Sequence, residues 1–351
     1  MSLRFHFPSR YVWLVLSTCA GMCGWFLFGT PTPASSARSM TTRLKRYGWP
    51  CPVQATGSTA VVFRCHAPDR ATYAIKRFRK PAPGISATAY TDSVQHEVRL
   101  VGQIPPHPRI LEIVDFFAED GRWYVVMPFV SNNSLYDHTL GDAARLLSAD
   151  EVDCVFYQLV TGVAFLHQQR VAHLDLKLNN ILVTEEGEVK IIDFGQARMV
   201  DSGSPRGGRV TGRLGTAPNV PWEAYHEQDY DPFAADAWAV GLIYCQAILP
   251  NAPWHLGDRG DVESQFAIFR PHDTPPTSPM DQGRVTATVG MILRHLPLHA
   301  RPLISQLLDI DPANRATAIE RAPSDLWFQN LRGRCFTPPT PRMALDAFGG
   351  R

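Results

Sequence analysis

Residues 171–195, Val-Ala-His-Leu-Asp-Leu-Lys-Leu-Asn-Asn-Ile-Leu-Val-Thr-Glu-Glu-Gly-Glu-Val-Lys-Ile-Ile-Asp-Phe-Gly, constrain this 351-residue chain more than any other stretch. Two apolar runs, Ile181 to Val183 and Val189 to Ile192, flank Thr184-Glu185-Glu186-Gly187-Glu188. That arrangement reads as a β-hairpin with a glycine in its turn. A hairpin returns the chain to its start, so Asp193 is expected near Asn180, with Asp175 on the loop feeding the first strand. Two carboxylates, the lysine Lys177 and the carboxamide Asn180 then converge on one small volume. Oxygen ligands of this kind suit Mg²⁺, which takes one or two carboxylates plus substrate phosphates. A further carboxylate held off the metal can accept a proton from an attacking hydroxyl.

This stretch resembles the catalytic loop and Asp-Phe-Gly segment of eukaryotic-type protein kinases, serine/threonine branch: His-x-Asp-x-Lys-x-x-Asn, a hairpin, then Asp-Phe-Gly. The resemblance implies an α+β, bilobal fold. Its small N-lobe is mainly antiparallel β with one key helix, and its larger C-lobe is helical. It further implies that Asp175 is the catalytic base, that Lys177 steadies the transferring phosphoryl group, and that Asn180 and Asp193 hold Mg²⁺. Where many kinases have His-Arg-Asp, this chain has His173-Leu174-Asp175. The missing arginine is the group that pairs with a phosphorylated activation loop, so activity without such phosphorylation is expected. His173 is expected to pack as a structural histidine behind Phe194.

Upstream, Ala55-Thr-Gly57-Ser-Thr-Ala60-Val-Val62 resembles the family's glycine-rich loop, with only Gly57 of its three glycines kept. Such a hairpin covers ATP phosphates with backbone N–H groups, and small residues let it come close. By resemblance Ala55, Gly57, Ala60 and Val62 bind nucleotide. Thr72 to Phe78 reads as a strand whose period of two puts Ala74 and Lys76 on one face. It is similar to the family's Val-Ala-Ile-Lys, whose lysine binds the α- and β-phosphates and pairs with a helix glutamate. Glu97 is the expected partner, in a segment where Val94, Val98 and Val101 recur at helical spacing. Two more strands are expected, Ile110 to Phe117 and Trp123 to Met127, with Asp120-Gly121 turning between them. By resemblance Met127 backs the adenine pocket, Pro128 offers adenine a carbonyl and Val130 an N–H. Ser134 then lies near the ribose, and Leu182 completes the nucleotide-binding set.

Ser148-Ala-Asp-Glu151 is a capping-box signature. Val152, Phe156, Leu159, Val163 and Leu166 follow it at helical spacing, with Cys154 expected as a plain thiol. By position, Gln196 to Gly215 is the activation loop and carries Arg198, Arg206, Arg209 and Arg213. Glu223, in Pro221-Trp222-Glu223, stands where the family has Ala-Pro-Glu, and a buried pair with Arg315 is expected. Residues 234–249 read as an apolar helix, with Asp236 anchoring the catalytic-loop backbone by resemblance. The expected organisation is a basic N-terminus (1–10), a transmembrane or signal segment (11–29) and a linker (30–44). A kinase domain then covers 45–331, with N-lobe 45–127, hinge 128–131 and C-lobe 132–331, before a tail (332–351). Within the C-lobe, residues 257–285 read as a polar loop or insertion.

The formal net charge is +1, so no global basic field for nucleic acid is indicated. Seven cysteines are scattered singly, without Cys-x-x-Cys and odd in number, which suggests reduced thiols rather than zinc or disulfides. Residues 11–29 carry no charge and as a helix span about 28 Å, close to a bilayer's hydrocarbon core. Basic residues are more numerous after this segment, which favours a single-pass membrane anchor with the kinase domain cytosolic. A cleaved signal peptide and mitochondrial targeting are the alternatives.

Three functional classes compete. The first is an ATP- and Mg²⁺-dependent kinase acting on Ser/Thr hydroxyls of a protein substrate. The others are a scaffold that binds nucleotide without transfer, and a small-molecule kinase of similar fold.

Overall fold

The computed structural model describes residues 42–335 apart from Ser58, 131–132, 140–146, 202, 204–207, 217–218, 250–288 and 291. The described chain divides into two compact units. One holds the residues up to Val94 together with Glu112–Phe129; the other holds Gln95–Leu111 and everything from Val130 onward.

The first unit begins with helix α1 (Thr42–Arg46), followed by strands β1 (Val53–Thr56), β2 (Ala60–His66) and β3 (Thr72–Phe78). Helix α2 (Ala87–Gln103) starts in this unit and ends in the other. Strands β4 (Asp115–Glu119) and β5 (Arg122–Pro128) complete an antiparallel sheet of order β1-β2-β3-β5-β4. Between β4 and β5, Asp120 and Gly121 both take positive φ, 50° and 65°. This is the double left-handed turn that matches strand twist, and an Asp-Gly pair is suited to it. One sheet face buries Phe63, Cys65, Ile75, Phe117, Tyr124 and Val126 against Leu44 of α1 and Tyr47 just after it. Helix α1 is also tied by charge. Arg43 Nη2 donates to Asp115 Oδ1 at 2.6 Å and the Tyr47 hydroxyl to Oδ2 at 2.8 Å. Burial, then the Asp115 carboxylate, pushes the Tyr47 phenol well above its ordinary pKa.

The second unit is mostly helical. Helix α3 (Ala149–Gln168) opens on the expected capping box: Ser148 Oγ accepts from the Glu151 N–H, and Glu151 reaches back to the Ser148 N–H. Short strands β6 (Val171–Ala172), β7 (Ile181–Val183) and β8 (Val189–Ile191) follow, with β7 and β8 forming the expected hairpin. Strand β9 (Arg198–Met199) pairs with β6, and β10 (Val210–Thr211) pairs with β11 (Asp229–Tyr230) beyond the short helix α4 (Glu223–His226). Helix α5 (Pro232–Ile248) is apolar on nearly every side and buries 15 of its 17 residues, the pattern of a helix enclosed by others. Helices α6 (Arg301–Leu307), α7 (Pro312–Arg315), α8 (Ala318–Arg321) and α9 (Leu326–Cys335) pack around it.

Three expectations are corrected. Ile110 and Leu111 do not begin β4; they belong to the second unit, where Ile110 bridges Ile191 in parallel and the Leu111 N–H donates to the Ile191 carbonyl. The cysteines are not all thiols: Cys51 bonds to Cys65 and Cys154 to Cys335, with Cα–Cα separations of 5.2 and 5.3 Å. Both separations lie in the range a disulfide spans, and Cys245 is a buried free thiol. The membrane localisation also falls, since among the described residues no helix is long and apolar enough to cross a membrane. Helix α5, the most apolar, has 17 residues and spends its surface on the core, and α3 carries Asp150, Glu151 and Asp153. Residues 11–29, on which that expectation rested, lie outside the described residues, as does the 257–285 loop.

Candidate active site

The loop after β6 is built on Asp236, one turn into α5 and 1% exposed. A carboxylate is buried at low cost only with donors around it. Asp236 has three: the backbone N–H of His173 (2.7 Å), the N–H of Leu174 (2.8 Å) and His167 Nε2 (3.0 Å). Leu174 is thereby held at φ 63°, a conformation uncommon for a side chain of this bulk. Its isobutyl group is 6% exposed and packs among Val200, Val220, Ala224 and Tyr230. The His173 ring packs against Phe194 at a tilt, centroids 4.9 Å apart, as expected. Its Nδ1 accepts from the Asp175 N–H at 3.3 Å, which assigns the proton to Nε2, donating to the Ile192 carbonyl at 3.0 Å.

These bonds set the Asp175 carboxylate at the head of a polar cluster. Lys177 Nζ donates to Oδ2 at 2.8 Å, and the Thr216 hydroxyl to Oδ1 at 2.7 Å. Lys177 Nζ also reaches Thr216 Oγ1 at 2.9 Å. Asn180 Nδ2 donates to the Asp175 carbonyl at 2.8 Å and to Oδ2 at 3.3 Å, which leaves Oδ1 as the acceptor side of its amide. Asp193 follows the hairpin in the left-handed conformation, φ 65°, and the Ile192 N–H donates to the Asn180 carbonyl at 3.0 Å. That region is uncommon for a non-glycine residue, and Asp is among those that tolerate it best. Asp175, Lys177, Asn180 and Asp193 thus belong to one loop-and-hairpin assembly of the second unit.

Thr216 was not among the residues expected at the site. Its signal was the glycine before it. Gly215 takes φ 96°, and a Cβ there would stand 2.6 Å from the Leu174 carbonyl oxygen, so only glycine lets the segment close against the loop. The Leu214 N–H meets the Tyr230 hydroxyl at 3.4 Å, and Asn219 Nδ2 donates to the Leu176 carbonyl at 2.9 Å. Beyond it, Glu223 and Arg315 form the expected buried pair, 1% and 0% exposed, through Arg315 Nη2 and Glu223 Oε1. Arg315 Nε also donates to the Ala234 carbonyl at 2.8 Å. Burial raises the Glu223 pKa and lowers that of Arg315, each opposed by the partner's charge.

The first unit carries the other group of expected residues. Ala55 pairs with Val62, Val62 with Lys76, and Ala74 with Met127. Register partners and residues two apart share a face, so Val62, Ala74, Lys76 and Met127 lie on one side of the sheet. Gly57 and Ala60 close the β1–β2 turn, the Gly57 N–H donating to the Ala60 carbonyl at 2.9 Å. Pro128 ends β5 opposite Tyr73. Glu97 lies on α2, buried, in the part of that helix assigned to the second unit. In the second unit Ser134 bridges Leu182 and its hydroxyl donates to Asp137 Oδ2 at 2.7 Å, while Val130 is half-buried.

Residues 55–328 match the family model described as "Protein kinase domain". The chain belongs to the protein kinase family. It is 28% identical over 305 residues to probable serine/threonine-protein kinase RTK1 of Saccharomyces cerevisiae, covering 85% of this chain and 47% of that protein. It is 31% identical over 275 residues to serine/threonine-protein kinase hal4 of Schizosaccharomyces pombe, covering 75% and 43%. To serine/threonine-protein kinase oca2 of the same yeast it is 28% identical over 314 residues, covering 79% and 47%. The chain spans less than half the length of these relatives.

Proposed function

We propose that this chain is an ATP- and Mg²⁺-dependent protein serine/threonine kinase. The observation that carries the reading is the Asp175 carboxylate, bonded to Lys177, Thr216 and Asn180 on a loop whose backbone ends on buried Asp236. In this reading Asp175 takes the proton of a Ser or Thr hydroxyl as its oxygen attacks the γ-phosphorus in line. Lys177 offsets the charge that develops on the transferring phosphoryl group. Asn180 and Asp193 suit Mg²⁺, because an amide oxygen and one carboxylate are the hard donors this ion takes beside phosphates. Among the described residues no cluster of three or more His, Cys, Asp or Glu offers a fuller cage. Bound Mg²⁺–ATP supplies the phosphoryl group and neutralises its oxygens.

The nucleotide roles follow the same reading. Ala55, Gly57, Ala60 and Val62 cover the phosphates, and Lys76, oriented by Glu97, holds two of them. Ala74, Met127, Pro128, Val130 and Leu182 take the adenine, and Ser134 the ribose. The relatives' names support Ser/Thr as the acceptor class. With labelled ATP, Mg²⁺ and a generic basic protein, the full chain is expected to yield phosphoserine or phosphothreonine. Asp193→Ala is expected to abolish the label. Phosphotyrosine as the product, or turnover retained by Asp193→Ala, contradicts the assignment.

Leu174 extends the proposal to regulation. It puts an apolar side chain, enclosed by apolar neighbours, where a phosphate-pairing arginine is absent. Phosphatase treatment is expected to leave the rate within about twofold, since no guanidinium there rewards a loop phosphate. A second reading, nucleotide binding without transfer, draws on Gly57 being the one glycine kept in its loop. ATP binding with no label transfer favours it.

A further inference from the structure

Strand β1 is held by few side-chain contacts. It lies at the edge of the sheet, all four of its residues are exposed, and Val53 is 58% exposed. Apolar burial therefore contributes little to holding it. Its ladder with β2 has three register pairs, Val53 with Phe63, Ala55 with Val62 and Thr56 with Val61, and the register shifts between the first two. Such a bulge leaves a residue unpaired and weakens the ladder locally. At the turn end, Gly57 is tied by its N–H to Ala60 and by its carbonyl to Arg79 Nε at 3.1 Å. At the other end stands Cys51, two residues before the strand, bonded to Cys65 of β2. Cys65 is fully buried in the sheet core and cannot shift without disturbing it. The bridge thus closes the open end of a ladder whose other end carries Ala55 and Gly57.

We infer that Cys51 and Cys65 are a positioning pair for the phosphate-covering arm, so that nucleotide affinity depends on their disulfide. The inference rests on the kinase reading of the 55–62 loop. A dithiol reductant breaks the Sγ–Sγ bond. It delivers two electrons and two protons, leaves two thiols, and closes to its own disulfide. Trp49 still packs edge-on against Phe63 and Tyr124 upstream, so the part that loosens begins at Cys51. There, among the described residues, the packing of Cys51 on the core, the interrupted ladder, the Arg64 N–H to Pro52 carbonyl bond (3.1 Å) and the Gly57 contacts remain. Ordering the freed arm over phosphates costs binding energy that the bridged arm has already surrendered. The Cys154–Cys335 bridge lies in the other unit and serves as an internal control.

The test uses the full chain, oxidised, then reduced with a dithiol, then reoxidised. It measures ATP affinity, steady-state kinetics and amide exchange of residues 53–57. Peptide mapping without reductant first confirms a Cys51–Cys65 linkage; its absence overturns the inference. Reduction is expected to raise the Kd and KM for ATP about tenfold, leave kcat and the protein-substrate KM unchanged, and speed exchange in β1. Reoxidation should restore all three. Cys51 is half-buried, so Cys51→Ser removes the bridge without enclosing a hydroxyl. It should behave like reduced protein and ignore the dithiol, while Cys154→Ala keeps the full response. ATP affinity indifferent to reduction, or a response that survives in Cys51→Ser, overturns the inference while the kinase reading stands. Failure of the oxidised protein to bind ATP at all overturns the kinase reading and this inference with it.

Discussion

The amides that lead into Asp175 end on a carboxylate 1% exposed, whereas the arm that carries Gly57 starts from a strand with no buried side chain. In the first region a charge is enclosed and paid for by three donors, and the loop inherits the rigidity of α5. In the second the backbone ladder is short, and a covalent bond does what packing does elsewhere. A proton acceptor needs a fixed position, which a buried hydrogen-bond network provides. A cover over phosphates has to admit and release nucleotide, and a solvent-facing hairpin suits that.

The largest effect is expected at Asp236. Asp236→Ala leaves two buried backbone N–H groups and His167 without an acceptor, and is expected to cost about 3–5 kcal/mol of stability. Urea denaturation measures it, and a loss below about 1 kcal/mol would mean that the loop is held by packing instead. Loss of the Cys51–Cys65 link is smaller. Its 14-residue separation corresponds to about 3 kcal/mol in the loop-entropy view, read as a lowered unfolding midpoint of Cys51→Ser. Thr216→Val removes one hydroxyl from Asp175 at nearly constant shape, and is expected to lower kcat/KM by about 3–10-fold, with Thr216→Ser close to wild type. Equal effects of the two replacements would deny the hydroxyl a role.

The smallest effect is expected at Arg209. It pairs with Glu227 at 2.9 Å and with Asp229, beside the β10–β11 ladder, but all three side chains are at least one-third exposed. Exposed pairs of this kind contribute about 0–1 kcal/mol, so Arg209→Gln should change stability little, and less still in high salt. A large, salt-insensitive loss would show that this ladder is as firmly built as the Asp236 anchor.

Much of this arrangement was legible because the signals are local. Gly187 between two apolar runs specifies the hairpin, and Ser148 with Glu151 specifies the start of α3. Alternation along Thr72–Phe78 puts Ala74 and Lys76 on one face. The Glu223–Arg315 pair was reached through the family resemblance, because 92 residues separate the partners. Other features were not legible. The run from Ile110 to Phe117 is mostly apolar and reads as one strand, yet Ile110 and Leu111 bond to Ile191 while Asp115 begins β4. Period alone does not say which neighbour a strand takes. The disulfides were missed because separations of 14 and 181 residues in a chain with an odd cysteine count carry no pattern. Only the β1–β2 ladder and the packing of α9 on α3 bring those thiols together. Thr216 was missed because its role depends on a close approach that only the glycine before it betrays.

The most direct test of the account compares the full chain with Asp175→Ala for transfer of the γ-phosphate from labelled ATP, in Mg²⁺, to a generic basic protein. The account predicts a rate lower by about 10²–10⁴-fold in the variant, as removal of a general base gives, with ATP affinity unchanged. Equal transfer by both proteins would contradict it, because the Asp175 network would then not be the seat of the chemistry.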